Sequence, residues 1–177
     1  DARVTWAGGG RGTATVLVRQ DDEREYGARF SFALHRDHNE VHFADARIRF
    51  DTTRWAATQP GAVRWGAGGL EFRTIEFRNQ VGGRLYVNGF MPTDPGATAA
   101  GLDFAVTEFE IGDLLALAQS GVDATGRLTV TGRFDGTTRD PRLRGVFLLH
   151  SGTVDGTPIP DLRGTLDYAD ARLAAGA

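Results

Sequence analysis

The sequence predicts an all-β fold: a long, curved, largely antiparallel sheet with one short amphipathic helix. Apolar and polar residues alternate with a period of two over most of the 177 residues, which is typical of strands that bury one face. Spaced glycines and turn residues separate these alternating segments. A helical spacing of apolar residues occurs in one short segment only.

In the N-terminal part of the chain, alternating apolar residues define one face of successive predicted strands. Residues 12–19 form the first of these strands, and a polar turn at Asp21 and Asp22 follows it. A hairpin turn is predicted at 37–39, where polar residues interrupt the alternation. The apolar residues assigned to the shared face are Phe30, Phe32, Leu34, Val41, Phe43, Ile48 and Phe50.

The alternation continues through the rest of the chain, with one change of parity between Phe72 and Ile75. A one-residue shift would move every later side chain to the other face, so we expect a β-bulge or tight corner near Arg73 and Thr74. The apolar residues of these later strands are Leu70, Phe72, Leu85, Val87, Leu102, Phe104, Val106, Leu128 and Val130.

A short helix is predicted near 112–119. One helical stripe consists of Ile111, Leu114, Leu115 and Ala118. Asp113 suits the first turn, and Gly121 is expected as the C-terminal stop. Because two turns are too short to be stable alone, the helix is expected to lie against the sheet or across an opening in it.

Repetition within the chain favours a sheet extended by similar units. Residues 83–89 and 126–132 share the pattern Gly-Arg-Leu-x-Val-x-Gly. About ten or more strands exceed what a flat open sheet usually tolerates, so the sheet is expected to curl or fold over on itself.

Composition and motifs argue against several classes of function. A net charge of −3 does not suggest a nucleic-acid partner, and the lack of cysteine excludes disulfides and thiol chemistry. The glycine-rich segment 8–12 is not followed by a predicted helix, whose N-terminus a phosphate-binding loop would need. A flexible connection is therefore expected there. The glutamates alternate with apolar residues as a solvated face would, so no catalysis and no cofactor are predicted; those considered are Glu71, Glu76, Glu108 and Glu110.

Histidines cluster around the predicted hairpin at 37–39. His35 and His42 are expected to be cross-strand neighbours with His38 in the loop, near Asp37 and Glu40. A zinc site needs three or four convergent ligands. Since the ligand spacing is irregular, the favoured interpretation is a polar hairpin tip without a metal.

An ordered series of short motifs resembles the late repeats of the TamB family, within the wider AsmA-like group. The series begins with Arg54 and Trp55, and the later motifs are the glycine-flanked strands at 82–89 and 126–132, the short helix at 112–119, and Leu162 to Tyr168. The resemblance covers residues 46–177, whereas residues 1–45 match by strand pattern only. It implies that the whole of 1–177 is a β-rich segment of a longer protein.

The resemblance also implies a fold and a function. TamB-like sheets are bent into a trough, the β-taco, whose concave side is apolar. Such proteins are similar to bridge-like lipid carriers: they are anchored in the inner membrane and are thought to move phospholipid across the periplasm. Phospholipid acyl chains are the expected ligand, and an outer-membrane barrel of the BamA type is the expected partner of the parent protein.

The apolar stripe therefore has two interpretations, since acyl chains and a protein core require the same side chains. The preferred one is a lipid groove whose candidate lining residues are Phe30, Phe32, Leu34, Val41, Phe43, Ile48, Phe50, Leu70, Phe72, Leu85, Val87, Leu102, Phe104, Val106, Leu128 and Val130.

The alternatives are a closed β-domain that serves as a spacer or binds a partner through an edge strand, and a carbohydrate-binding domain using Trp55 and Trp65. Edge strands with unpaired backbone groups also permit an edge-to-edge dimer.

Overall fold

One antiparallel sheet makes up nearly all of the structure, a computed structural model that describes residues 1–22, 24–50, 53–93, 101–117, 123–136, 141–169 and 172–176. Within these residues the sheet has fourteen strands and is accompanied by one helix. The strands are β1 (Ala2–Gly8), β2 (Arg11–Arg19), β3 (Arg24–Leu34), β4 (His38–Phe50), β5 (Thr53–Ala57), β6 (Gly61–Gly66), β7 (Gly69–Asn79), β8 (Arg84–Pro92), β9 (Leu102–Glu110), β10 (Ala124–Gly136), β11 (Pro141–Val154), β12 (Thr157–Pro158), β13 (Leu162–Ala169) and β14 (Arg172–Gly176).

The strands follow one another across the sheet in chain order. The long strand β4 pairs with β6 through its first half and with β5 through its second half. Strands β5 and β6 thus lie end to end between β4 and β7. The two-residue strand β12 pairs only with β11. This sequential order confirms the predicted all-β, antiparallel fold.

The predicted bulge in β7 is confirmed. The register between β7 and β8 shifts between Phe72 and Ile75, and Thr74 has a φ of 55°. The extra residue brings Phe72 and Ile75 onto the same face of the sheet despite their odd spacing. The backbone N–H of Thr74 donates to the side-chain oxygen of Asn88 on β8, which fixes the bulge.

The N-terminal glycines form a hairpin turn, so the prediction of a flexible connection at 8–12 is wrong. Gly8, Gly9 and Gly10 have φ values of 85°, 57° and 76°, which residues with a Cβ rarely adopt. The turn joins β1, a strand that the sequence prediction missed, to β2.

Two predicted boundaries differ in detail. The hairpin turn lies at 35–37 rather than 37–39, because the backbone N–H of His35 donates to the carbonyl of His38, the first residue of β4. The predicted helix is α1 (Ile111–Leu117), with Asp113 in its first turn, and it contacts β9 and β10. Ala118 and Gly121 lie outside the described residues.

The sheet has very little enclosed core. Among the described residues the buried hydrophobic side chains are those of Ala14, Ala46, Trp55, Ala105 and Phe109. The substantial contacts between elements join sheet neighbours, apart from those of α1 with β9 and β10. Neither face of the sheet is therefore closed by a second sheet in this part of the chain.

Candidate functional site: an apolar sheet face

Cross-strand pairing brings the predicted apolar residues onto one face, here called the apolar face. In one row, Phe32 pairs with Val41, which pairs with Val63 of β6 and through it with Phe72. Because directly paired residues share a face, such rows identify the face without reference to any ligand.

Further rows carry the apolar face across the later strands. Leu85 pairs with Val106, Val106 with Val130, and Val130 with Phe147. The predicted lining residues all fall on this face by register, although the side chain of Phe50 lies outside the described part. Phe147 and Leu149 extend the face beyond the predicted set and pair with Gly164 and Leu162 of β13.

Glycines on the apolar face lie beneath phenylalanine rings. A methyl group added at Gly12 would lie 2.5 Å from the ring of Phe32, and one at Gly132 would lie 2.7 Å from the ring of Phe104. The rings therefore lean over the paired glycines, in the way that aromatic residues compensate for glycine in strands. This arrangement fills the gaps that glycines would otherwise leave in the apolar face.

An apolar cavity of about 180 Å³ opens on this face. The cavity lies at three neighbouring irregularities of the sheet. These are the unpaired Ala44 between β4 and β3, the connection between β5 and β6, and the bulge at Thr74 in β7. Its apolar lining residues include Phe43, Ala46, Val63, Phe72, Ile75 and Phe77. An engineered apolar cavity of about 150 Å³ holds a benzene molecule, so this cavity has room for a short hydrocarbon segment.

Trp55 is the most buried side chain of the apolar face, at 1% exposed. Its ring stacks on that of Phe109 with centroids 5.4 Å apart, and a methyl group added at Gly83 would lie 2.8 Å from it. Buried in this way, Trp55 cannot offer a ring to a sugar, as the carbohydrate-binding alternative requires. The other tryptophan of that alternative, Trp65, is 38% exposed and is therefore not removed from solvent in the same way.

The opposite face, here called the polar face, carries ion pairs between strands and along them. Glu76 bonds to Arg78 at 2.8 Å and lies 3.3 Å from Arg84 of β8. Arg133 of β10 binds Asp103 of β9 at 2.8 Å and Asp135 of its own strand at 2.9 Å. These pairs suit a surface in contact with water.

Hydrogen-bonding partners hold the pKa values of Glu76 and Glu108 on the polar face below the usual range. Hydrogen bonds from Arg84 and Arg78 lower the pKa of Glu76. The hydrogen bond with His150, and then that with Arg127, lowers the pKa of Glu108. The predicted solvated face is therefore a network of ionised pairs.

His150 and Glu108 form a contact that was not anticipated from the sequence. His150 Nε2 lies 3.1 Å from Glu108 Oε1, although the residues belong to β11 and β9 with β10 between them. Glu108 has a φ of 50° at a register shift between β9 and β10. No spacing in the sequence reveals this pair, because it depends on the pairing of three strands.

The histidines at the β3–β4 hairpin come together differently from the prediction. His42 is paired with Ser31 rather than with His35, and His38 belongs to β4. The rings of His35 and His38 stack with centroids 4.3 Å apart. Glu40 accepts contacts from His38 Nε2 at 3.2 Å and from His42 Nε2 at 3.1 Å.

Comparison of the chain with protein-family models, curated proteins and solved structures finds no significant match. In the part of the chain that is described, no helix has the length and hydrophobicity needed to cross a bilayer.

Proposed function

We propose that this chain is a non-catalytic lipid-conduit segment of a TamB/AsmA-like envelope protein. Its apolar face shields phospholipid acyl chains during lipid transport or outer-membrane biogenesis. The segment works in the periplasm, and a parent protein anchored in the inner membrane brings it to an outer-membrane barrel of the BamA type.

The observation that carries this proposal is that the apolar face is not enclosed: among the described side chains, none of its candidate lining residues is fully buried. The accessible surface is 10944 Å², whereas a compact monomer of 19.1 kDa has about 8,400 Å². Extended apolar surface without a protein cover marks a binding surface in soluble proteins. A closed spacer domain would instead fill its interior with its own side chains.

The chemistry of the face favours acyl chains over a polar ligand. The cavity at the β4–β7 irregularities is lined mainly by aliphatic and aromatic groups. Each buried methylene contributes about 0.8 kcal/mol, so a partly buried acyl chain gains several kcal/mol without a polar anchor. Rows of similar apolar residues across successive strands offer neighbouring sites of similar energy, which favours sliding over trapping.

A bend in the sheet is also supported at one point. Strands β5 and β9 are three steps apart in the strand order, which is about 14 Å in a flat sheet. Trp55 on β5 and Phe109 on β9 nevertheless stack at 5.4 Å. Local curling toward the apolar face would bring the two rings together, as the proposed trough requires.

Lipid binding tests this proposal directly. The chain is incubated with vesicles of phosphatidylethanolamine and phosphatidylglycerol, re-isolated, and examined for bound phospholipid by native mass spectrometry. Val87→Asp puts a charge on the apolar face, and Val146→Asp puts the same charge on the polar face, where Val146 is 54% exposed.

We expect the unaltered chain and Val146→Asp to carry phospholipid, and Val87→Asp to carry at least about tenfold less, because a carboxylate is costly to bury beside acyl chains. Circular dichroism verifies that both variants keep the sheet. Absence of lipid from the unaltered chain, or equal loss in both folded variants, contradicts the proposal. A concentration-dependent dimer without lipid would indicate a second copy as the cover of the face.

A further inference from the structure

The cluster at the β3–β4 hairpin has the donor composition of a transition-metal site, with its potential ligand atoms close together. The ligand atoms of His35, His38 and Glu40 all lie within 4.8 Å of one another. Two imidazoles and one carboxylate are a donor set that suits Zn²⁺. The cluster lies on the polar side of the hairpin and is independent of the apolar face.

The hairpin backbone holds the two histidines close together. The N–H of His35 donates to the carbonyl of His38 at 2.9 Å, and their rings stack at 4.3 Å. Glu40 follows His38 at an interval of two residues in β4, so both project from the same face of the strand. His38 Nε2 and Glu40 Oε1 are already 3.2 Å apart.

Carboxylate contacts orient the central histidine. His38 Nδ1 lies 3.0 Å from Asp37 Oδ1, which leaves Nε2 directed toward Glu40. A carboxylate on the second ring nitrogen is the arrangement that commonly orients zinc-binding histidines. His42 Nε2 lies 3.1 Å from the other oxygen of Glu40 and so acts as a positioning residue.

We propose that His35, His38 and Glu40 bind a divalent transition-metal ion of the Zn²⁺ class at the β3–β4 hairpin, with Asp37 as the carboxylate that orients His38. Zinc bonds of about 2.0–2.2 Å require the ligand atoms to approach by roughly 1 Å or more, which side chains at a hairpin tip accommodate by rotation. Arg64 Nε, 3.8 Å from Glu40 Oε1, is the cation that the metal displaces.

Isothermal titration with ZnCl₂ tests the site, using chain freed of any affinity tag. His150→Ala is the matched control, because His150 also contacts a glutamate on the polar face but belongs to no group of three potential ligands in the described part of the chain. We expect one Zn²⁺ per chain, binding weakened at least about tenfold in His38→Ala and His35→Ala, and no change in His150→Ala. Asp37→Asn should weaken binding about ten- to a hundredfold.

Two further measurements test metal binding independently of the titration. Zn²⁺ should raise the unfolding temperature of the unaltered chain but not that of His38→Ala, since a ligand that binds only the folded state stabilises it. Bound Co²⁺ should give a visible absorption band that is lost in His38→Ala. Lack of stoichiometric binding, or equal losses in His38→Ala and His150→Ala, overturns the proposal.

Discussion

Trp55 is the side chain that contributes most to packing on the apolar face. It is 1% exposed, it stacks on Phe109, and it lies against Gly83, the residue before β8. Few other hydrophobic side chains in the described part of the chain are buried, and most of those are alanines. A large share of the enclosed apolar area thus depends on one residue.

Replacing Trp55 by alanine should lower the free energy of unfolding by about 3–5 kcal/mol, because it removes a buried ring and leaves a cavity. Trp65→Ala is the matched control, since Trp65 is 38% exposed; its cost should be about 1 kcal/mol or less. Urea denaturation followed by circular dichroism measures both. Equal losses would contradict the assigned role of Trp55.

Glu76 governs part of the acid sensitivity of the polar face. Its hydrogen bonds to Arg84 and Arg78 lower its pKa in the folded state from the usual 4.5. A lowered pKa stabilises the fold above the unfolded-state value, and this contribution is lost as the pH falls through the folded-state value.

Glu76→Gln should therefore reduce the free energy of unfolding at pH 7 by about 0.5–1 kcal/mol, as for other surface ion pairs. The difference between the two proteins should shrink as the pH falls below 4.5. Chemical denaturation at a series of pH values measures it. A difference that stays constant down to pH 3 would show that the Glu76 ion pairs are not its source.

At the level of elements, phenylalanine rings on one strand fill the space above paired glycines on the next strand of the apolar face. Phe104 of β9 lies over Gly132 of β10, so a methyl group at Gly132 would meet its ring at 2.7 Å and the carbonyl oxygen of Arg144 at 2.8 Å. The ring has no room to retain its position if the glycine acquires a side chain.

Gly132→Ala should thus destabilise the fold by about 1–3 kcal/mol through overpacking. Gly68→Ala serves as the control, because a methyl group there meets no atom within 4 Å, and its effect should stay within about 0.5 kcal/mol. Thermal unfolding compares them. A neutral Gly132→Ala would refute the close packing of Phe104 on Gly132.

The strands were largely predictable from the sequence because side-chain alternation is a direct consequence of strand geometry. Even the bulge at Thr74 could be located, since the parity of the apolar residues changes there. Strand β1 was missed because Gly8 to Gly10 were interpreted as a connection rather than as a turn with positive φ. The stacking of His35 on His38 depends on the hairpin conformation, which composition does not determine.

At the level of the whole molecule, the sheet extends by adding neighbours, with little contact between distant strands. The twelve strands from β1 to β14 on the main path span roughly 50 Å across the sheet at the usual spacing. Sequence alternation could identify the apolar face but not whether protein covers it, because a core and a lipid groove favour the same residues.

The accessibility of the apolar face to acyl chains is the central claim, and site-specific quenching tests it most directly. The chain has no cysteine, so Val87→Cys on the apolar face and Val146→Cys on the polar face each accept one fluorophore. Phospholipid with a spin label on its acyl chain should quench the fluorophore at position 87 and leave that at position 146 unchanged. Equal quenching at the two positions, or none at position 87, would contradict an acyl-chain-binding face.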